Sequence, residues 1–205
     1  FLNEYEEVPD FLNHSRITVE LGGPGRNPRD NGKFFFAGQV RDGYCFTVDD
    51  DIVYPPDYVQ HLIRKIEFYD RGVIVGLHGT IYGKPVRSFF KGRTLYHFEE
   101  ALEQDVVVNQ LGTGTVAFHT SLVRPPLEWF ETTGMADVWL AAQARRHGIP
   151  LVAIERAASW LCPMGVEETT LFREFRKDDS LQTRIIRQYG PWKESLQGRL
   201  AARVE

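Results

Sequence analysis

Three consecutive aspartates, Asp49, Asp50 and Asp51, follow the mostly apolar run Tyr44-Cys45-Phe46-Thr47-Val48. Adjacent carboxylates repel one another, so three at a strand end call for a cation. All-oxygen ligation suits a hard divalent ion such as Mg²⁺ or Mn²⁺, which commonly bridges a chain to a diphosphate. Open α/β folds place ligands at the carboxyl ends of strands, and the triplet is expected there. At an extended strand end Asp49 and Asp51 share a face and Asp50 points away. One of the pair can then hold the ion, and the other a ribose or an ion-bound water. An acid preceding a helix N-terminus explains one aspartate at this place, not three.

Other residues could complete such a site. Asp137 opens the helix after Gly134-Met135-Ala136. It is either a carboxylate complementing the helix dipole or a general base for an attacking hydroxyl. Asn31 and Lys33, in Asp30-Asn31-Gly32-Lys33, offer a helix start and a positive charge to an anion, or simply a loop with a solvated lysine. Gly112, Thr113 and Gly114 precede a strand and either admit close backbone approach to a ligand or form a turn or bulge. His78, at a strand end, is the histidine placed to line a cleft, although a structural histidine is the commoner case. Arg173, Arg176 and Lys177 lie on a solvated helix face or in a flap that closes over a phosphate leaving group.

The elements that must position these residues follow from pattern. Strands are expected at 44–48, 73–77, 115–118 and 151–154, with a further short strand at 17–21. Helices are expected at 136–147, stopped by Gly148, and after Pro55-Pro56, with Val59, Leu62, Ile63 and Ile66 at helical spacing. A short helix opens at Pro9, another covers 31–36, and a last helical region covers about 170–189. Strands alternating with helices predict an α/β fold with a mostly parallel sheet. The chain reads as a single domain over 1–205, with a core at 1–165 and a C-terminal helical region or flap at 166–205.

Composition narrows the class. The 205 residues are 42% hydrophobic and 13% aromatic, values of a folded domain. A net charge of −4 argues against sequence-independent nucleic-acid binding. No apolar run approaches the roughly 18 residues of a membrane span. Cys45 and Cys162 are the two cysteines. Cys45 lies within a strand pattern, which favours a free thiol and a reducing, cytoplasmic setting. The inner face of the membrane is compatible with that expectation.

The stretch from Phe46 to Val59, containing Asp49-Asp50-Asp51, resembles the DxD segment of GT-A-fold glycosyltransferases, specifically the bacterial family 2 type that builds capsule or lipopolysaccharide chains. Asn31-Gly32-Lys33, Leu111-Gly112-Thr113-Gly114-Thr115 and Gly134-Met135-Ala136-Asp137-Val138-Trp139-Leu140 resemble further segments of that family, in order. The resemblance covers most of 1–161. It implies a GT-A fold and metal-dependent, inverting transfer of a hexose or N-acetylhexosamine. The donor would be a nucleotide-diphospho-sugar, usually a UDP-sugar with Mn²⁺ or Mg²⁺, and the acceptor a glycan hydroxyl in surface polysaccharide synthesis. By carry-over, Asp51 coordinates the metal and Asp49 the metal or ribose. Asn31, Lys33, Asp50, Gly112, Thr113 and Gly114 belong to the nucleotide-sugar site, and Asp137 is the base. His78, Arg173, Arg176 and Lys177 are candidates for acceptor or flap contacts.

The chain departs from the family in two ways. Family members begin with a strand and loop that grip the base, whereas Phe1 falls at what corresponds to the second strand, so the fold is expected without its first strand and helix. No histidine follows His147 to complete a metal shell, leaving water, the diphosphate, Asp178 or Asp179 for that place. The competing readings are a non-catalytic sugar-binding or scaffold fragment of a larger polymerase, and a nucleotidyltransferase using the same acids. A phosphohydrolase with a nucleophilic aspartate usually carries threonine where this chain has Val53.

Overall fold

Strand β3 (Ile74–Gly76) sits inside an apolar run whose side chains alternate between two cores. Val73, Val75 and Leu77 pack with one cluster, and Ile74 packs with the other. This period of two, with both faces buried, marks an interior strand. The computed structural model describes residues 1–23, 25–165 and 178–192. It is a mixed α/β fold built on a five-stranded sheet.

The sheet runs β1 (Tyr44–Phe46), β8 (Ala117–His119), β3, β9 (Leu151–Ala153), β6 (Val106–Val108). The expectation of a mostly parallel sheet is corrected. Only β3 and β9 pair in parallel among these strands, and the pairs β1–β8, β8–β3 and β9–β6 are antiparallel. The physical reason lies in the crossover. Helix α1 (Tyr58–Phe68) carries the chain from β1 to β3 and leaves one strand's width between them. β8 fills that gap in the opposite direction. β1 and β3 therefore do run the same way, and their carboxyl ends share an edge with the amino end of β8. The strand–helix alternation reports direction but not which strands become neighbours.

Helices cover both faces. α1 buries Tyr58, Leu62 and Ile66 against Val73, Val75, Leu77, Ala117, Val152 and Ile154. Val59, expected on this face, is instead 50% exposed. α2 (Ala136–Arg146) buries Val138, Trp139 and Leu140 against Ile74, Val116 and Phe118. Each such large side chain stabilises the fold by about 1.5–3 kcal/mol through burial. Gly148 follows α2 with φ +67°, a conformation in which glycine avoids the Cβ penalty.

Shorter elements complete the chain. β4 (Gly79–Ile81) pairs with β5 (Thr94–Tyr96) and β7 (Gln110–Leu111) in a second sheet. β2 (Ile52–Val53) pairs with β10 (Cys162–Pro163). Single 3₁₀ turns occupy Asp10–Leu12 and Thr113–Thr115, and a two-turn 3₁₀ segment occupies Arg29–Phe34. The strand expected at 17–21 is absent. Ile17 is 44% exposed, and of this segment only Leu21 makes a bridge, to Leu2. α3 (Ser180–Gln188) is the described part of the last helical region. No described helix is long and apolar enough to cross a membrane.

Candidate functional site

A cleft of about 960 Å³ opens at the shared edge of β1 and β3. β1 delivers Val48, Asp49, Asp50 and Asp51 to it, β3 delivers His78, the 3₁₀ segment Arg29–Phe34 delivers Asp30 and Lys33, and α2 delivers Asp137 and Val138. These four segments place five aspartates, Arg29 and Lys33 around one space, and the segment before β5 adds Arg93.

Lys33 is the hub of the acidic side. Its ammonium makes an ion pair with Asp49 Oδ1. Burial alone pulls its pKa down, but Asp49, Asp137 and Asp30 together hold it above the usual lysine value. The Asp49 main-chain N–H donates to the Tyr54 hydroxyl at 2.8 Å, and that hydroxyl donates to the Gly114 carbonyl at 2.6 Å. Tyr54 thereby ties the triplet to the turn before β8. Gly114 is needed there, since a Cβ on it would fall 2.1 Å from Asp49 Oδ2. The close approach at this glycine is to a carboxylate of the chain itself. Asp50 and Asp51 are exposed to the cleft mouth. The Asp51 pKa is raised by burial and by the negative charge of Asp49 and Asp50, against the pull of Lys33.

Asp137 is held by one oxygen. Its Oδ1 accepts both the Thr113 N–H and the Thr113 hydroxyl, each at 2.7 Å. Oδ2 has no hydrogen-bond partner among the described residues, and the side chain lines the cleft. Burial raises the Asp137 pKa, and the Thr113 hydrogen bonds and Lys33 oppose that rise without cancelling it. A fixed carboxylate with one unpartnered oxygen and a raised pKa is suited to accept a proton.

The start of α2 is capped from a distance. Asp30 accepts the Gly134 N–H at 2.6 Å and the Ala136 N–H at 2.8 Å. The Ala136 N–H is an orphan donor of the helix N-terminus, the Gly134 N–H lies just before the N-cap residue Met135, and Met135 itself makes no side-chain cap. Asp30→Ala is expected to destabilise the fold by about 1–3 kcal/mol. For a chain of this size that lowers Tm by roughly 2–4 °C per kcal/mol. Differential scanning calorimetry checks it, with Asp30→Asn recovering part of the loss.

The remaining candidates are distributed as follows. Asn31 is 3% exposed and stands behind the cleft wall, where its amide donates to the Phe130 and Thr132 carbonyls, both at 3.2 Å. Gly112, Thr113 and Gly114 do not line the cleft: Thr113 holds Asp137, Gly114 leaves room for Asp49, and Gly112 packs against His78. His78 lines the cleft. Burial and the neighbouring His97, Arg93 and Arg156 push its pKa down to about 3, so it is neutral at physiological pH. Arg173, Arg176 and Lys177 lie outside the described residues. Asp179 holds α3 to the segment before β5 by accepting from Ser88 Oγ and the Phe90 N–H, and Asp178 accepts the Ser180 N–H, so neither joins the triplet. Cys45 and Cys162 are free thiols, and burial pushes Cys45 up to about 11.

Among the described residues no three carboxylate, histidine or cysteine side chains form a metal cage. What the cleft offers is Asp51, with Asp49 partly committed to Lys33, inside an excess of negative charge. That donor set fits Mg²⁺ or Mn²⁺, which commonly takes one or two carboxylates and fills its shell with phosphate and water.

Tyr54, Asp30 and Arg93 are site residues that sequence reasoning did not single out. Nothing in their spacing reveals them: Tyr54 and Asp30 act through partners on other segments, and Arg93 enters the cleft only because the segment before β5 folds against it. Comparison with protein-family models and with curated proteins finds no match.

Proposed function

We propose that the chain is a metal-dependent, inverting glycosyltransferase of GT-A type. In this reading it moves a sugar from a nucleotide-diphospho-sugar, such as a UDP-sugar, to a glycan hydroxyl. The observation that carries this reading is the meeting of two poles in one cleft. One is the Asp49–Asp51 triplet with Lys33, suited to a metal-bound diphosphate. The other is Asp137, with one oxygen anchored and one open.

The chemistry follows from those poles. Asp137 Oδ2 takes the proton of the acceptor hydroxyl while Thr113 fixes the carboxylate. The acceptor oxygen bonds to the anomeric carbon as the bond from that carbon to the diphosphate oxygen breaks, and the nucleoside diphosphate leaves with the electron pair. Attack from the opposite face inverts the carbon. Asp51, with Asp49, would hold the divalent ion, whose chemistry is neutralisation of leaving-group charge. Lys33 keeps Asp49 in place and adds a positive charge beside the departing phosphate.

Calorimetric titration with UDP tests the diphosphate pole. Binding is expected with Mn²⁺ and to be lost, by tenfold or more as an order of magnitude, on chelation or in Asp51→Ala. Equal UDP binding with and without Mn²⁺ is the result that excludes this pole.

A further inference from the structure

Several cleft-lining side chains stand apart from the triplet, Lys33 and Asp137. Arg93 makes no hydrogen bond or ion pair among the described residues. Its guanidinium lies 4.9 Å from the ring centroids of both Phe89 and Phe90. Burial disfavours its charge, while Tyr82, Asp137 and Asp179 favour it. Arginine stays protonated in proteins, so Arg93 is a cation in the cleft that feels Asp137 and Asp179 at a distance and is free, among the described residues, to take a direct anionic partner.

Gln182, in the first turn of α3, is 2% exposed, and its Oε1 is buried without a hydrogen-bond partner. It lines the same cleft. Gln110 is 4% exposed and also lines it. Its Oε1 accepts the Tyr82 hydroxyl at 2.5 Å, and its Nε2 has no partner among the described residues. The wall carrying these groups is braced, because the Phe89 N–H donates to Thr183 Oγ1 at 2.8 Å and the Phe90 N–H to Asp179 Oδ2 at 3.1 Å.

A buried polar atom without a partner is costly, as at Gln182 Oε1, and with the half-buried Arg93 and with Gln110 Nε2 it defines what this part of the cleft would take. They call for one negative charge, a hydroxyl donor, a hydroxyl acceptor and an apolar face against Phe89. We propose that this part of the cleft binds an acidic sugar, its carboxylate on the Arg93 guanidinium and a ring hydroxyl donating to Gln182 Oε1. A planar guanidinium matches a carboxylate in bidentate fashion. A phosphomonoester, with roughly two negative charges at neutral pH, would bring excess charge beside Asp137 while Lys33 is committed to Asp49. The proposal rests on the sugar-transfer reading only in making this sugar the acceptor; the binding itself does not depend on it.

The test is titration of the full chain, without nucleotide, with a glucuronate-containing disaccharide and with its carboxyl-reduced counterpart. The acidic sugar is expected to bind about tenfold or more tightly, the size of a charged hydrogen-bond pair. Arg93→Gln should erase that preference, Arg93→Lys should keep part of it, and Gln182→Leu should weaken both sugars alike. Thermal melts of the variants show that the fold persists. Equal affinity for the two sugars, absence of binding, or tighter binding of glucose 6-phosphate overturns the proposal. So does an Arg93→Gln variant that loses UDP affinity and keeps the acidic sugar. Parallel UDP titration with Mn²⁺ separates the two ideas. Acid preference without UDP binding leaves this site standing and removes sugar transfer, whereas UDP binding without acid preference does the reverse.

Discussion

Asp137→Asn is expected to lower sugar transfer by about 10²–10⁴-fold, the usual contribution of a general base, while UDP affinity stays within about twofold. The asparagine carbonyl can still accept from Thr113, so the anchored geometry survives and only the basic oxygen is lost. The same variant has a second signature. Burial raises the Asp137 pKa in the folded chain. Between the unfolded value and that raised value the folded state binds the extra proton, so this group's contribution to stability is present at low pH and is lost as pH rises through the window. At neutral pH the ionised carboxylate therefore costs stability, and Asp137→Asn should melt at or above the wild-type temperature. The rate of the wild type should fall with acid at a pH above the ordinary aspartate value, because the base must be ionised. An inactive yet undiminished fold separates a catalytic carboxylate from a structural one. A variant that keeps full turnover removes the base assignment.

Gly114→Ala is the other large effect. The new Cβ would lie 2.1 Å from Asp49 Oδ2 and 2.6 Å from its Cγ. The side-chain end is the part that can yield, so the fold survives by swinging Asp49 away from Lys33. Stability is expected to change by no more than about 1–3 kcal/mol, the range of overpacked sites. Function is expected to suffer more, because displacement of a positioning group by about 1 Å can cost 10²-fold. Metal-dependent UDP affinity and turnover should both fall, which distinguishes this variant from Asp137→Asn. Wild-type activity in Gly114→Ala would mean that Asp49 has no part in the site.

The sequence made the elements legible wherever a segment is buried on one or two faces. The strand at β3, the helix at α2 with its Gly148 stop, and the strand bearing the triplet all reflect local periodicity and turn chemistry. Where periodicity has no sheet or core to report, it misleads, as at Ile17, or selects the wrong residue of a turn, as at Val59 beside the buried Tyr58. Strand direction was legible for β1 and β3, but the insertion of β8 between them was not, because nothing local to either strand encodes the neighbour across a crossover.

The candidate site divides along the same line. Residues that announce themselves by type, such as three consecutive aspartates or an acid opening a helix, fall together around the cleft. Those whose meaning comes from a distant partner do not. Asp30 caps a helix more than 100 positions away, with |i−j| of 104 and 106. Asn31, adjacent to it and similar in sequence terms, turns its amide into a loop behind the wall.

The central claim is that a diphosphate donor and an attacking hydroxyl meet in this cleft. The most direct measurement is UDP release from a panel of UDP-sugars by the intact chain, with Mn²⁺ and with or without glycan acceptor. Release that needs Mn²⁺ and rises with acceptor is the predicted result. Folded protein that releases no UDP from any donor, with or without acceptor, contradicts it.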